Sequence, residues 1–149
     1  MKIGNREFQT KGHTYVMGIL NVTPDSFSEM IAEGMDIVDI GGESTRPGYT
    51  LLSDEEEIAR VVPMIEAVKA NFDIPISLDT YKSGVAEAGI RAGADLINDI
   101  WGLKYDRHMA EVIAKSGLPC CLMHNRKEAD YRDFMQDVVA DLADTIHLA

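Results

Sequence analysis

The sequence predicts an α/β fold built on a parallel sheet, and three observations lead there. Five short apolar runs recur along the chain: Tyr15–Leu20, Asp36–Ile40, Ile74–Asp79, Ala94–Asp99 and Pro119–His124. Near-continuous apolar strands are those buried on both faces, as parallel strands usually are. Helical patterns separate the runs, and such alternation gives either a doubly wound sheet or a (β/α)8 barrel. Polar residues also gather where the runs end: Asn21, Gly41–Arg46, Asp79, Asn98 with Asp99, and His124 with Asn125. A barrel brings all five ends to one rim, whereas a doubly wound sheet spreads them apart.

The elements follow in order. The first run, YVMGIL, leads to the second, DIVDI, through an interval with room for only a turn or two of helix. Ser53 and Glu56 then form a capping box. They open a helix whose apolar face is Ile58, Val61, Val62, Ile65 and Val68, with Pro63 placed to kink it. IPISLD and LIND are the third and fourth strands. Asp106 is placed to cap a helix with Met109, Val112 and Ile113 inward, closed by Gly117 and Pro119. After PCCLMH, the last helix carries Phe134, Val138, Val139, Leu142 and Ile146 on one side. No linker or low-complexity stretch divides residues 1–149, which read as one domain.

Composition narrows the function. The formal charge of -11 argues against a general nucleic-acid surface, so an anionic substrate needs a local positive site. No apolar run approaches the roughly 18 residues of a membrane span. The polar start MKIGNREFQTKGH lacks the apolar stretch of a signal peptide. Cys120 and Cys121 are adjacent in a strand and point to opposite faces, so they read as two buried thiols in a cytoplasmic protein.

Five segments carry a family resemblance: MGILNVTPDSFS, DIGGESTRPG, ISLDTYKS, LINDIWG and LMHNR. In order and most spacings the chain resembles dihydropteroate synthase, a pterin-binding (β/α)8 TIM barrel of folate biosynthesis and the target of sulfonamides. The resemblance covers nearly all of this chain but about the first half of the family's domain, so only about the first five βα units are present. It implies a cytoplasmic homodimer that joins a dihydropterin diphosphate to p-aminobenzoate and releases diphosphate, with Mg2+ as cofactor.

The residues suit that chemistry. Asn21 offers an amide oxygen to magnesium, a hard cation that keeps several waters, and the family places its Asn at the metal–diphosphate site. The other reading of Asn21 is a turn former before VTPD. Asp79 can accept paired hydrogen bonds from the amino and ring N–H groups of a pterin, and Asn98 can both donate and accept. The resemblance puts both in the pterin pocket. The competing reading of Asp79 is a cap for a helix beginning near Thr80. Asp39 and Asp99 share that ambiguity, and capping is the default for Asp99. Thr45 and Arg46 lie in GGESTRPG, and by resemblance their loop forms the aminobenzoate site; alone it would read as a Gly/Pro-bounded surface loop. His124 has no second His or Cys at ligand spacing, so it reads as pocket-lining or hydrogen-bonded rather than a zinc ligand. His13, His108 and His147 read as surface residues. Trp101 and Met123 read first as core, with Met123 also near the pterin by resemblance.

Two departures from the family's pattern stand out. Ser28 runs straight into EMIAEGMDIVDI, where the family carries an Asp-Gly-Gly segment and most of a helix. A βαβ crossover needs at least about 10–12 residues, so the favoured reading is ordered pieces joined across a mobile loop, with a break between Ser28 and Glu29. The later motifs are also absent, and a typical barrel needs about 250 residues. Five strands alone would leave two open edges and an exposed apolar interior, and this fragment alone would be inactive. Two alternatives remain: a methyltetrahydrofolate-type pterin-binding methyltransferase, which would share Asp79 and Asn98 but not NVTPDSF with ESTRPG, and a non-catalytic half-barrel that binds a partner.

Overall fold

The computed structural model describes residues 1–20, 30, 33–43 and 51–149. Its first element is a hairpin, β1 (Lys2–Ile3) and β2 (Arg6–Glu7), which the sequence reading did not anticipate. The signal was the Gly4-Asn5 pair between the two strands. Gly4 has φ +58, a conformation that a two-residue hairpin turn requires and glycine takes without strain. Five strands follow: β3 (Met17–Leu20), β4 (Ile37–Gly41), β5 (Ile76–Asp79), β6 (Leu96–Asp99) and β7 (Cys120–Leu122). They form one sheet in the order β3-β4-β5-β6-β7, and every pairing is parallel, as expected. The helices are α1 (Asp54–Asn71), α2 (Ser83–Ala92), α3 (Met109–Ser116) and α4 (Phe134–Leu148). Strands advancing one place per crossover are the topology of a barrel wall.

The helices cover one face of this sheet. Leu20, Val38, Ile40, Ile76, Leu78 and Ile97 alternate onto that face and pack against Val61, Ile65, Val68, Val85, Met109 and Ile113. Each large aliphatic side chain so buried stabilises the fold by roughly 1.5–3 kcal/mol. The other face departs from the expected burial on both sides. Met17 is 38% exposed and Ile19 65% exposed. Only its lower part is sealed, where Ile3 and Phe8 from the hairpin cover Ile37 and Leu96. Above that plug the face is not apolar, as the sequence suggested, but carries Asp39, Ser77, Asp79 and Asn98.

The local expectations divide. The capping box is present: Glu56 N–H donates to Ser53 Oγ (3.2 Å) and Ser53 N–H to Glu56 Oε2 (3.0 Å). Pro63 sits inside α1, which is continuous through it. Asp106 does not cap α3 from the N-cap position, which is His108 and makes no side-chain cap bond. Its carboxylate instead accepts the N–H of Ser83 at the start of α2 (2.8 Å) and of His108 (2.9 Å). The apolar side of α4 is split: Val138 and Leu142 are half-buried, while Phe134, Val139 and Ile146 are exposed. The thiols are free and not both buried, since Cys121 is exposed on the open face and Cys120 half-buried.

Candidate active site at the carboxyl ends of the strands

Two acidic clusters lie at the carboxyl ends of β4, β5 and β6. The first lies on the open face. Parallel register sets Asp39 of β4 beside Ser77 of β5, and Asp79 beside Asn98 of β6. Ser77 Oγ donates to Asp39 Oδ1 at 2.5 Å, and Asn98 Nδ2 reaches the same carboxylate at 3.3 and 3.4 Å. An Asn98 amide that donates to Asp39 keeps its carbonyl oxygen for the open face. Asp79 Oδ1 is buried and has no hydrogen-bond partner among the described residues. Burial, and then the negative charges of Asp39, Glu57 and Asp99, push Asp79 up to about 7. Burial also raises Asp39, partly offset by its bonds from Ser77 and Asn98. An Oδ1 held this way lacks a donor among the described residues, and a ligand N–H would supply one.

The second cluster is closed. Lys82, at the N-cap of α2, donates to Glu43 Oε2, Glu57 Oε2 and the Leu52 carbonyl, each at 2.8 Å. Glu43 also accepts from the Tyr81 hydroxyl and from Leu52 N–H (2.7 Å), and Glu57 accepts from Thr80 Oγ1 at 2.9 Å. All three charged side chains are at most 7% exposed. Burial would raise Glu43, but its bonds from Lys82, Tyr81 and Leu52 outweigh it and hold Glu43 below the usual glutamate range. Burial would lower Lys82, and the two glutamates outweigh it in the opposite direction. The sequence reading missed this cluster. The signal was Glu57 in the apolar stripe of α1, one turn before Val61.

The site residues expected from sequence divide accordingly. Asp79 and Asn98 come together, and Asp79 caps no helix, because α2 starts at Ser83. Asp39 proves closer to the site than its ranking suggested. Asp99 does cap backbone, accepting from Trp101 N–H (2.8 Å) and Leu103 N–H (2.7 Å), although in a turn rather than a helix. Met123 is not core: it is 46% exposed, just beyond β7. Trp101 is half-buried. His124 is hydrogen-bonded, its Nε2 lying 2.7 Å from Asp141 Oδ2, which Arg126 also grips through Nε at 2.5 Å. Those bonds hold Asp141 down to about 2. His13, His108 and His147 are exposed as expected. Asn21, Thr45, Arg46 and the Ser28–Glu29 junction lie outside the described residues. Among the described residues no group of three or more His, Cys, Asp or Glu could hold a metal ion.

The family model for pterin binding enzymes matches residues 17–149. This chain belongs to the pterin-binding enzymes. Among members of that family, it is 56% identical to a dihydropteroate synthase from Clostridium beijerinckii, covering 100% of this chain and 61% of the relative. That alignment runs over 165 residues against 149 here, so the pterin-binding relative holds residues inside the matched span that this chain lacks. The crystal structure of dihydropteroate synthase from Clostridium difficile in the presence of pteroic acid superposes with a TM-score of 0.90 at 41% identity, covering 96% of this chain and 61% of that one. The Xanthomonas albilineans enzyme with 4-aminobenzoic acid superposes with a TM-score of 0.79 at 35% identity, over 92% and 57%. The fold is therefore a partial (β/α) barrel of the pterin-binding type, and the chain spans about 60% of the relatives it matches.

Proposed function

We propose that this chain forms the first part of a dihydropteroate synthase, which condenses 6-hydroxymethyl-7,8-dihydropterin diphosphate with p-aminobenzoate to give 7,8-dihydropteroate and diphosphate. The observation that carries this reading is Asp79 beside Asn98, its Oδ1 buried and without a hydrogen-bond partner among the described residues. The 2-amino and ring N–H groups of a pterin present two adjacent donors, which match one carboxylate in a charge-assisted pair. Asn98, its amide drawn toward Asp39, offers an acceptor to the next ring N–H. Met123 supplies an apolar surface at the rim for the ring. Bond breaking develops negative charge on the departing diphosphate and positive charge on the pterin methylene. We assign Thr45 and Arg46 to the aminobenzoate, Arg46 for its capacity for two-pronged pairing with a carboxylate.

Magnesium would neutralise the diphosphate. The described residues offer no carboxylate cluster for it. Asn21 is the protein ligand we assign, with diphosphate and water as the rest. The reading extends to a cytoplasmic homodimer inhibited by sulfonamides at the aminobenzoate site. No described helix is long and apolar enough to cross a membrane. The test is product formation by the full-length protein from the two substrates, alongside calorimetry of pterin binding. Dihydropteroate formation with magnesium supports the reading. Pterin binding without condensation overturns it in favour of methyl transfer from a folate, and no pterin binding at all favours a partner-binding half-barrel.

A further inference from the structure

We propose that Asp39 is a positioning residue: it turns the Asn98 side chain so that the amide oxygen faces the ligand, and the site thereby selects a reduced pterin over its oxidised form. This rests on the function proposed above, which brings a pterin ring to Asn98. The sheet supplies the geometry. Asp39, Ser77 and Asn98 stand on three neighbouring strands, β4, β5 and β6, whose parallel register sets Asp39 beside Ser77 and Asn98 beside Asp79. Asp39 and Ser77 are buried, and Ser77 Oγ donates to Asp39 Oδ1 at 2.5 Å, which restrains the carboxylate. Asn98 Nδ2 lies 3.3 and 3.4 Å from the two carboxylate oxygens, its only acceptors among the described residues. From the other side, β7 brings Cys121 into register with Asn98, and a thiol is a weak hydrogen-bonding group. A carboxylate only accepts, so an amide turned the other way would set its oxygen against Asp39 with no proton between them. The buried Asp39 therefore holds the NH2 group inward and leaves the oxygen outward as an acceptor.

The chemistry of the ring makes that orientation selective. A 7,8-dihydropterin carries hydrogen on the ring nitrogen next to its reduced carbon, whereas the oxidised pterin has a bare nitrogen there. The first donates to an outward amide oxygen, and the second meets it lone pair to lone pair. An amide free to turn would serve both. In the full-length protein at about pH 8, calorimetry under nitrogen is expected to show 6-hydroxymethyl-7,8-dihydropterin binding roughly tenfold or more tighter than 6-hydroxymethylpterin. Asp39→Asn keeps the shape but gives Asn98 a partner that both donates and accepts, so the ratio should fall to within about twofold of unity. Ser77→Ala removes a buried bond yet leaves the Asp39–Asn98 contact, so it should lower Tm and keep the wild-type ratio within about twofold. Equal affinities in the wild type, an unchanged ratio in Asp39→Asn, or an equal loss of the ratio in both variants would overturn the proposal. If Asp39→Asn does not fold, the wild-type Asn98 side-chain amide decides by NMR: slow proton exchange with solvent supports the lock, and free exchange overturns it. A wild type that condenses its substrates without discriminating between the two pterins overturns this inference and leaves the proposed function standing. A wild type that binds neither pterin overturns both.

Discussion

The two acidic clusters lie side by side at the strand ends, and they differ in one respect. Glu43 and Glu57 have Lys82 between them at 2.8 Å on either side. Asp39 and Asp79 have no cation at ion-pair distance among the described residues, and Asp79 Oδ1 has no partner there. Burying a charge is costly unless it is paired and hydrogen-bonded. The Lys82 cluster offsets that cost internally and is closed to ligands. The cluster of Asp39 and Asp79 carries the cost as a raised carboxylate that a donor-rich ligand can relieve. Neighbouring carboxylates around the strand ends thus divide into a fastener and a receptor according to where one lysine falls.

The sharpest way to break this contrast is to remove the lysine. Lys82→Met leaves two buried glutamates facing each other, and breaking a buried pair costs about 3–5 kcal/mol. Urea unfolding should show that loss; a smaller change than for an exposed lysine such as Lys104 would mean that the cluster is solvated. Asp79→Asn should act in the opposite direction. Asp79 is raised to about 7 in the folded state, well above its unfolded value. The unliganded protein therefore binds the extra proton between about pH 4 and 7 and loses stability as pH rises through that window. Asp79→Asn escapes that loss, so it should exceed wild type by up to about 4 kcal/mol at pH 8, at about 1.4 kcal/mol per pKa unit. The advantage should shrink toward pH 4, and a pH-independent difference would sink the assignment. Binding should move the other way. Asp79→Ala should weaken pterin affinity by about 1.5–3 kcal/mol, with Asp79→Asn less affected because one acceptor survives; wild-type calorimetry in Asp79→Ala would remove Asp79 from the site. The mildest change is Ser77→Ala, which takes one donor from Asp39 and should cost about 1 kcal/mol without altering the Lys82 cluster.

Much of this was legible in the sequence. The parallel sheet followed from apolar runs alternating with capped helices. The pairing of Asp79 with Asn98 followed from both standing at strand ends. What escaped the reading depended on direction rather than residue type. An apolar run does not reveal that one face of β3 is covered and the other open, so the pattern predicts a buried Ile19 where the structure exposes it. The α4 stripe failed similarly, because Val138 and Leu142 turn toward the protein while Val139 and Ile146, in the same apolar set, do not. Glu57 and Lys82 escaped because charges are read as surface by default, and only the fold brings residues 43, 57 and 82 to one point. Asp106 escaped because it bonds a helix start 23 residues earlier in the chain rather than its own.

The hairpin at the start of the chain has a consequence for the order in which the molecule assembles. Its side chains reach far ahead: Asn5 bonds Asp73 at 2.6 Å across 68 residues, and Ile3 and Phe8 pack on Leu96. These residues thus wait for β6 before they find a seat. Such distant contacts form after the loop-closure cost of the intervening chain is met. The hairpin should therefore dock late, behind β4, α1 and β5. Ile3→Ala is then expected to speed unfolding while leaving the refolding rate nearly unchanged in a chevron measurement. The first residues of the sequence would be the last to settle.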